Sequence, residues 1–296
     1  MHRIEYISLV TAGAVLRTMP TTWVYVFVRI LGFWAFHLFR IRRNVTMDNL
    51  RNALGGELNE RKLEEIARRS YEHIGMTFIE LLLAPKLAGR ILSIVDMSDA
   101  DAAHRAFMRG CGIVMTTGHF GSWELNGASV VAAGIPVTVV AKSQSNPFVD
   151  TLITRYRELF GLRIVNLGAP IKHIVRALRE GGAVGLISDQ DVGRKGVYVD
   201  FFGRKASTPQ GPAQLSLKYN TPLMVIMTVR TRPGRYKSYF REVDVYPGDT
   251  VESLTQRYTI VMEDVIRLYP EQYFWMHRRW KSSPPENKER KNTLKQ

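Results

Sequence analysis

The 296-residue chain reads as an α/β protein: a mostly parallel central sheet flanked by helices, with an N-terminal hydrophobic membrane-anchor helix. Three observations predict this. From residue 111 onward, short apolar β-rich runs alternate with stretches of helical period, the grammar of parallel strands joined by helical crossovers. Residues 44–110 carry helical periodicity instead. The first 43 residues are dominated by apolar side chains and end in a basic cluster. The expected boundaries are 1–43 for the anchor or interfacial helix, 44–281 for the α/β domain and 282–296 for a basic, unstructured tail.

Taken in order, "IEYISLVTAGAVL" (4–16) is followed by "TTWVYVFVRILGFWAFHLF" (21–39), 19 residues broken only by two threonines, Arg29 and His37. Pro20 suits the opening of a helix there. Such a segment is long enough to cross a bilayer, but Arg29 makes crossing costly. On one helix Arg29, Arg40 and Arg43 would share a stripe, which suits a helix lying in the membrane plane. A buried core helix would need a partner for Arg29. No small-residue cleavage site follows, and Arg40, Arg42 and Arg43 favour a cytoplasmic side for what comes next.

"MDNLRNALG" and "NERKLEEIARRSYEHIGMTFIELLLAP" are helical, broken by Gly55–Gly56 and Pro85. "CGIVMTT", "IPVTVVA", "RIVNL", "AVGLISD" and "PLMVIMTVR" are strands. "SWELNGASVVAAG", "NPFVDTLITRYRELFG", "PIKHIVRALREGG" and "PQGPAQLSLKYN" are the helices between them, and "GRYKSYFREVDVYP" alternates as a strand partner. "TVESLTQRYTIVMEDVIRLYP" is a helix opening at Thr250. The tail "KSSPPENKERKNTLKQ" has no periodicity.

Forty-one Lys and Arg against 27 Asp and Glu give a net charge of +14, which favours an anionic partner: nucleic acid, an anionic membrane or an acidic carrier protein. Neither a helix-turn-helix nor an RRM-type pattern is present and the basic residues are spread, which argues against nucleic acid. One cysteine, Cys111, excludes an internal disulfide framework or a cysteine-based zinc site.

The chemistry concentrates in "TTGHFGSWELNG" (116–127), at the carboxyl end of a strand, where open α/β sheets bind ligands. His119 titrates near neutral pH and can serve as a general base. Glu124, five residues on, can orient the ring if the turn folds back. The bland alternative is a histidine at a helix terminus, with a glutamate favoured by the helix dipole. The letters exclude other sites: Ser122 lacks the G-x-S-x-G frame, and no phosphate loop, G-x-G-x-x-G or H-E-x-x-H occurs. His119 and Glu124 alone are too few to hold a metal, so no metal and no cofactor is expected.

Arg157 suits an oxyanion or a phosphate, or alternatively a surface pair with Glu158 or Asp150. Asn146 caps the helix that begins at Pro147. Asp189, Gln190 and Asp191 end a strand and shape the site, with Arg194 or Arg204 as ion-pair partners. Ser207 and Thr208 precede Pro209 and cap the next helix. His277, Arg278, Arg279 and Lys281, with Trp275 and Trp280, suit headgroups or acceptor phosphates, or a strand packed at the sheet edge. His104 and His173 are surface residues.

Five stretches in order resemble the bacterial lipid A biosynthesis acyltransferases, within the wider H-x4-[D/E] glycerolipid acyltransferase group: the anchor with "RRNVTMDNLRNAL", then "GHFGSWEL", "NPFVDTLITRYRELFG", "SDQDVGRKGVYVDFFGRKASTPQGPAQLSLKYNTPLMVI" and "PEQYFWMHRRWKSSP". The resemblance implies transfer of a fatty acyl chain from acyl carrier protein to a hydroxyl of a Kdo-bearing lipid A precursor. The implied place is the cytoplasmic face of the inner membrane, and the implied fold is glycerolipid-acyltransferase-like. Carried onto this chain, His119 is the base and Glu124 its orienting partner, with Arg157, Asp189, Gln190, Asp191, Arg278 and Arg279 on the substrate side. Attack is direct, without an acyl-enzyme, consistent with a buried Cys111. Another glycolipid or aminolipid acceptor, for example of the phosphatidylinositol mannoside type, fits the same letters. A non-catalytic membrane scaffold would keep the anchor but have no use for His119.

Overall fold

A computed structural model describes residues 2–282. Helices α1 (His2–Thr18), α2 (Thr21–His37), α3 (Arg43–Leu54) and α4 (Glu60–Leu82) come first, followed by the short α5 (Ala84–Leu87) and α6 (Ile91–Ile94). Strand β1 (Val95–Asp96) and helix α7 (Asp101–Phe107) lead into the alternating part. There β2 (Ile113–Thr117), α8 (Trp123–Ala132), β3 (Val137–Ala141), α9 (Pro147–Leu159), β4 (Arg163–Asn166), α10 (Lys172–Arg179) and β5 (Ala183–Ile187) follow one another. A hairpin, β6 (Val197–Phe201) and β7 (Arg204–Thr208), precedes α11 (Gly211–Tyr219), β8 (Leu223–Arg232), β9 (Arg235–Val243) and α12 (Val251–Leu268).

The central sheet has seven strands in the order β1-β9-β8-β2-β5-β3-β4. The five from β8 to β4 are parallel, while β9 runs antiparallel to β8 and β1 parallel to β9. The α/β expectation and its mostly parallel sheet are borne out. Period-2 burial sorts each strand to two faces. Ile113 and Met115 join Leu125, Val130 and Tyr156 on one side, and Val114 joins Leu50, Tyr258 and Trp275 on the other. The β6–β7 hairpin, absent from the sequence reading, stands outside the main sheet as its own two-stranded ribbon. No strand forms over 274–282.

The N-terminal helices are two-faced. Val24, Val28, Gly32 and Phe36, spaced four apart, are buried. A Cβ at Gly32 would come within 3.0 Å of the Glu72 backbone on α4, so the close approach of the two helices requires glycine there. The opposite surface of α2 and its exit leaves Trp23, Phe27, Ile30, Trp34, Leu38 and Phe39 exposed. Among the described residues no helix is long and apolar enough to cross a membrane. Arg29 pairs with Glu72 at 3.5 Å from a largely solvent-exposed position. Because α2 ends at His37, Arg40 and Arg43 do not continue a stripe with Arg29: Arg40 lies in the connecting loop with φ of 49°, and Arg43 opens α3. The expected tail, from 283 on, lies outside the described residues. Cys111 is exposed, not buried as its apolar neighbours suggested.

Candidate active site

Register builds the site. Strands β2 and β5 are parallel neighbours paired Thr117↔Ile187, so the turns leaving their carboxyl ends start side by side. His119 lies two residues beyond the first strand and Asp189 two beyond the second. His119 Nδ1 stands 2.7 Å from Asp189 Oδ1, and the His119 backbone N–H donates to Oδ2 at 2.8 Å. One buried carboxylate thus holds both the ring and the main chain of the same histidine. A carboxylate only accepts, so Nδ1 carries the proton and Nε2 is left as the basic nitrogen. No hydrogen bond from the described residues occupies Nε2, and the His119 side chain is 24% exposed.

The turn is tightly determined. Gly121 has φ of +54°, and a Cβ on it would fall 2.1 Å from the Thr228 carbonyl oxygen; only glycine fits. The His119 carbonyl accepts from Phe274 N–H at 2.9 Å. Trp123 stands edge-on to the imidazole at 5.3 Å between ring centres, and Phe274 lies at 5.9 Å. Trp123 in turn meets Phe78 at 6.1 Å, and Phe78 is exposed. A run of aromatic rings therefore leads from His119 to the surface beside the α2–α4 contact.

Electrostatics favour a strong base. Burial works against the imidazolium, but the adjacent Asp189 carboxylate, with Glu124 further away, outweighs it and raises the His119 pKa above its ordinary value. Burial alone would raise Asp189; His119 and the more distant Arg279 hold it below the usual range. Burial lowers the pKa of His277, whose Nε2 accepts from the Asp191 N–H at 3.0 Å.

Glu124 does not meet His119. As the second residue of α8 it is buried and receives Arg157 of α9 in a two-pronged pair, Nε–Oε2 at 2.9 Å and Nη2–Oε1 at 2.7 Å. The expected Glu124–His119 bond is therefore replaced by two separate pairs, His119–Asp189 and Glu124–Arg157. The physical reason is direction: helix α8 begins at Trp123 and carries the Glu124 side chain toward α9, while the turn hands the ring to the neighbouring strand end. Nor does Arg157 pair with Glu158 or Asp150; the Asp150 Oδ1 accepts from the Gln144 N–H.

The other expected residues separate into buried and open ones. Arg279 is buried. Its Nη1 donates to the Ser207 carbonyl and its Nη2 to Thr208 Oγ1, both at 2.6 Å. Its guanidinium lies 5.0 Å from the Phe201 ring centre, so it braces the hairpin from inside the fold. Arg278 is exposed and Gln190 half-buried. Asp191 accepts from Ser282 N and Oγ and from the Gly193 N–H, closing the C-terminal segment onto the 193 loop. Neither Asp189 nor Asp191 forms an ion pair with Arg194 or Arg204; Arg204 donates to Asn52. Ser207 and Thr208 do not cap α11: Ser207 Oγ donates to the Gly193 carbonyl, and the helix begins after Gln210. Asn146 is the cap expected, accepting from the Phe148 and Val149 N–H groups. His104 and His173 are exposed. No group of three or more metal-ligating side chains is found among the described residues.

Two turns at the carboxyl ends of neighbouring central strands, a polarised histidine and a paired arginine–glutamate form a site, lined by aromatic rings, that can deprotonate a hydroxyl. Comparison with known proteins decides the family. The description "Bacterial lipid A biosynthesis acyltransferase" matches residues 2–282. The chain belongs to that family. It is an acyl-transferring enzyme. The lipid A biosynthesis palmitoleoyltransferase of Escherichia coli K12 is 27% identical over 261 residues, 86% of this chain and 83% of that protein. The lipid A biosynthesis lauroyltransferase of the same organism is 26% identical over 265 residues, covering 86% and 84%. A phosphatidylinositol mannoside acyltransferase of Mycolicibacterium smegmatis is 27% identical over 196 residues, covering 65% and 64%.

Proposed function

We propose that this acyltransferase moves a fatty acyl chain from acyl carrier protein to a hydroxyl of a lipid A precursor at the cytoplasmic face of the inner membrane. His119 serves as general base and Asp189 as its fixed partner. The observation that carries this reading is the Nδ1–Asp189 bond of 2.7 Å, which leaves Nε2 basic and partly open. Nε2 takes the proton of the acceptor hydroxyl while its oxygen attacks the thioester carbonyl. The tetrahedral intermediate collapses, the carbon–sulfur bond breaks, and the imidazolium returns its proton to the departing thiolate. No acyl-enzyme is formed. Asp189 stabilises the imidazolium while that charge exists, and Glu124 holds Arg157 at the rim of the site, where its side chain is 18% exposed.

Membrane placement rests on the apolar outer surface of α1 and α2, with Ile4, Ile7, Trp23, Phe27 and Trp34 exposed, lying in the interface rather than crossing it. Basic residues around it favour anionic lipid, and a net charge of +14 favours an acidic donor protein. The similarity to a phosphatidylinositol mannoside acyltransferase supports a second acceptor class.

The deciding experiment supplies acyl carrier protein thioesters with a panel of acceptors: Kdo-bearing lipid A precursor, phosphatidylinositol mannoside and an aminolipid. Transfer to the lipid A precursor that disappears in His119→Ala, with the variant folded, is the expected result. Transfer only to mannoside replaces the acceptor, and wild-type rates in His119→Ala overturn the mechanism.

A further inference from the structure

The catalytic turn is suspended from a charge pair that no step of the reaction uses. Glu80 of α4 and Arg230 of β8 are buried, with side chains 0% and 2% exposed. Arg230 Nε donates to Glu80 Oε1 at 2.6 Å and Nη2 to Oε2 at 2.5 Å. The remaining acceptor positions of Glu80 are filled by Tyr236 Oη at 2.7 Å and by Ser122 Oγ at 2.6 Å. Thr77, three residues before Glu80, accepts from Arg230 Nη2 and donates from Oγ1 to the Gly121 carbonyl at 2.8 Å. Gln272 exchanges two bonds with the Arg230 backbone, each 2.9 Å, while its own carbonyl accepts from the Gly121 N–H at 2.8 Å. The Ser122 N–H is taken by the Thr228 carbonyl at 2.8 Å.

Every one of these paths ends on Gly121 or Ser122, the two residues that follow His119 and Phe120. Stability alone does not account for such an arrangement. Burying two charges costs several kcal/mol in desolvation, and well-packed apolar residues of the same volume often serve as well or better. What a polar network adds over apolar packing is direction, because hydrogen bonds fix angles that dispersion does not; in this pair only Arg230 Nη1 has no partner among the described residues.

We infer that Glu80 and Arg230, acting through Thr77 and Ser122, are positioning residues that set the place of His119 against Asp189. The inference rests on His119 being the catalytic base. Helix α4 contributes Glu80 and Thr77 at one end, and nearer its middle packs Glu72 and Gly75 against Gly32 and Val28 of α2. The scaffold beneath the apolar surface and the hanger of the catalytic turn are therefore one rigid helix.

The test removes single hydroxyls rather than a buried charge, because Glu80 and Arg230 variants can fail to fold. Thr77→Val is isosteric and cuts the link to Gly121; Thr77→Ser keeps it; Ser122→Ala cuts the link to Glu80. In wild type, Thr77→Val, Thr77→Ser and Ser122→Ala, kcat and KM for the acyl donor are measured alongside thermal unfolding. The titration of the His119 ring is followed by NMR on 15N-histidine protein in detergent, assigned with His119→Gln. Thr77→Val and Ser122→Ala are expected to lower kcat by about ten- to a hundredfold with KM little changed, the scale of a small misplacement of a catalytic group. The His119 titration moves to lower pH as the ring leaves Asp189, and Thr77→Ser restores both readouts. Folded Thr77→Val and Ser122→Ala proteins with wild-type kcat and an unmoved titration overturn the inference. So does an activity loss that only follows the unfolded fraction. If wild type itself transfers no acyl group, the catalytic reading fails, while the ring titration still decides whether the network sets the His119–Asp189 contact.

Discussion

Asp189→Asn isolates the contact that carries the proposed role of His119 as general base. In the wild type each carboxylate oxygen takes one bond, from the ring at 2.7 Å and from the backbone N–H at 2.8 Å. An asparagine has one oxygen for two donors. If that oxygen keeps the backbone N–H, the amide NH2 faces Nδ1 and forces the ring proton onto Nε2, which can then no longer accept a proton. If the amide turns over, its NH2 opposes a backbone N–H with nothing to receive it. The first orientation removes the general base, whose contribution is about 10²–10⁴-fold; the second keeps Nε2 basic but sets two donors against each other and disturbs the turn that places the ring. A loss on the order of 10³-fold in kcat, about 4 kcal/mol of barrier, is expected. The packing shape is preserved, so thermal unfolding should move only modestly. The assay is acyl transfer from a labelled carrier-protein thioester across pH. In the wild type the acid limb of kcat/KM lies above the ordinary histidine pKa of about 6.5, because Asp189 outweighs burial at His119. In residual Asp189→Asn activity that limb moves to lower pH. Activity above roughly a tenth of wild type, with the limb in place, would refute the reasoning. A Glu124→Gln loss as deep as that of His119→Ala, beside a mild Asp189→Asn, would return the orienting role to Glu124.

The remaining expectations follow from the same geometry. Glu124→Gln weakens the two-pronged hold on Arg157 and should cost about 1–3 kcal/mol in chemical denaturation, with a kcat loss smaller than that of Asp189→Asn. Gly121→Ala places a Cβ 2.1 Å from the Thr228 carbonyl oxygen and should abolish folding or displace the turn, seen as loss of a cooperative melt or of activity. His73, held near pKa 3 by burial and by the charges of Arg230 and Arg69, stays neutral in the fold while the unfolded chain takes up a proton. Stability from this group is full above about pH 6.5 and falls by up to 1.4 kcal/mol per pH unit below it, so His73→Gln should flatten denaturation midpoints between pH 6.5 and 4. His119 has the opposite sign: its raised pKa gives stability present below about pH 6.5 and lost as pH rises through the folded value, which a comparison with His119→Gln measures. Replacing exposed Trp23, Phe27 and Trp34 with serine should weaken binding to anionic vesicles in a flotation assay by more than tenfold, since each ring contributes about 1.5 kcal/mol or more when buried.

The parts of the fold that were legible in the letters are those with a strong period. Strands β2, β3, β5 and β8 are short apolar runs, and α4, α9 and α12 announce themselves by apolar spacing and by caps at Asn59, Asn146 and Thr250. The β6–β7 hairpin escaped because its turn, Phe202–Gly203, is buried at one residue and its strands alternate only weakly in character. At the site, His119 was legible from its place after a strand, but its partner was not. Linear spacing favoured Glu124, five residues away; parallel register brought in Asp189, seventy residues away. The signal lay in the sequence all the same: both residues stand two positions past a strand end, and neighbouring parallel strands in register carry such positions together. What the letters could not supply is which strands are neighbours. Arg230 and Glu80 were invisible for a different reason, since a charged residue inside an otherwise apolar strand or helix reads as a solvated position until its partner is placed.

The separation of the two acidic residues has a chemical consequence. Were Glu124 the imidazole's partner, Arg157 would be free to hold substrate but would sit unpaired in a site where burial disfavours its charge. With Asp189 on the ring, the H-x4-E spacing does two jobs with one turn. The first residue reaches sideways to the neighbouring strand end for its proton partner. The last, just inside α8, neutralises an arginine that arrives from α9 and keeps its guanidinium at the rim. The net charge of His119, Asp189, Glu124 and Arg157 is −1 when the imidazole is neutral and zero when it is protonated. In the proposed mechanism the site therefore sheds its net negative charge only as an oxyanion forms on the thioester carbon. Charge that appears in step with the transition state lowers the barrier, whereas charge already present would bind the ground state equally well.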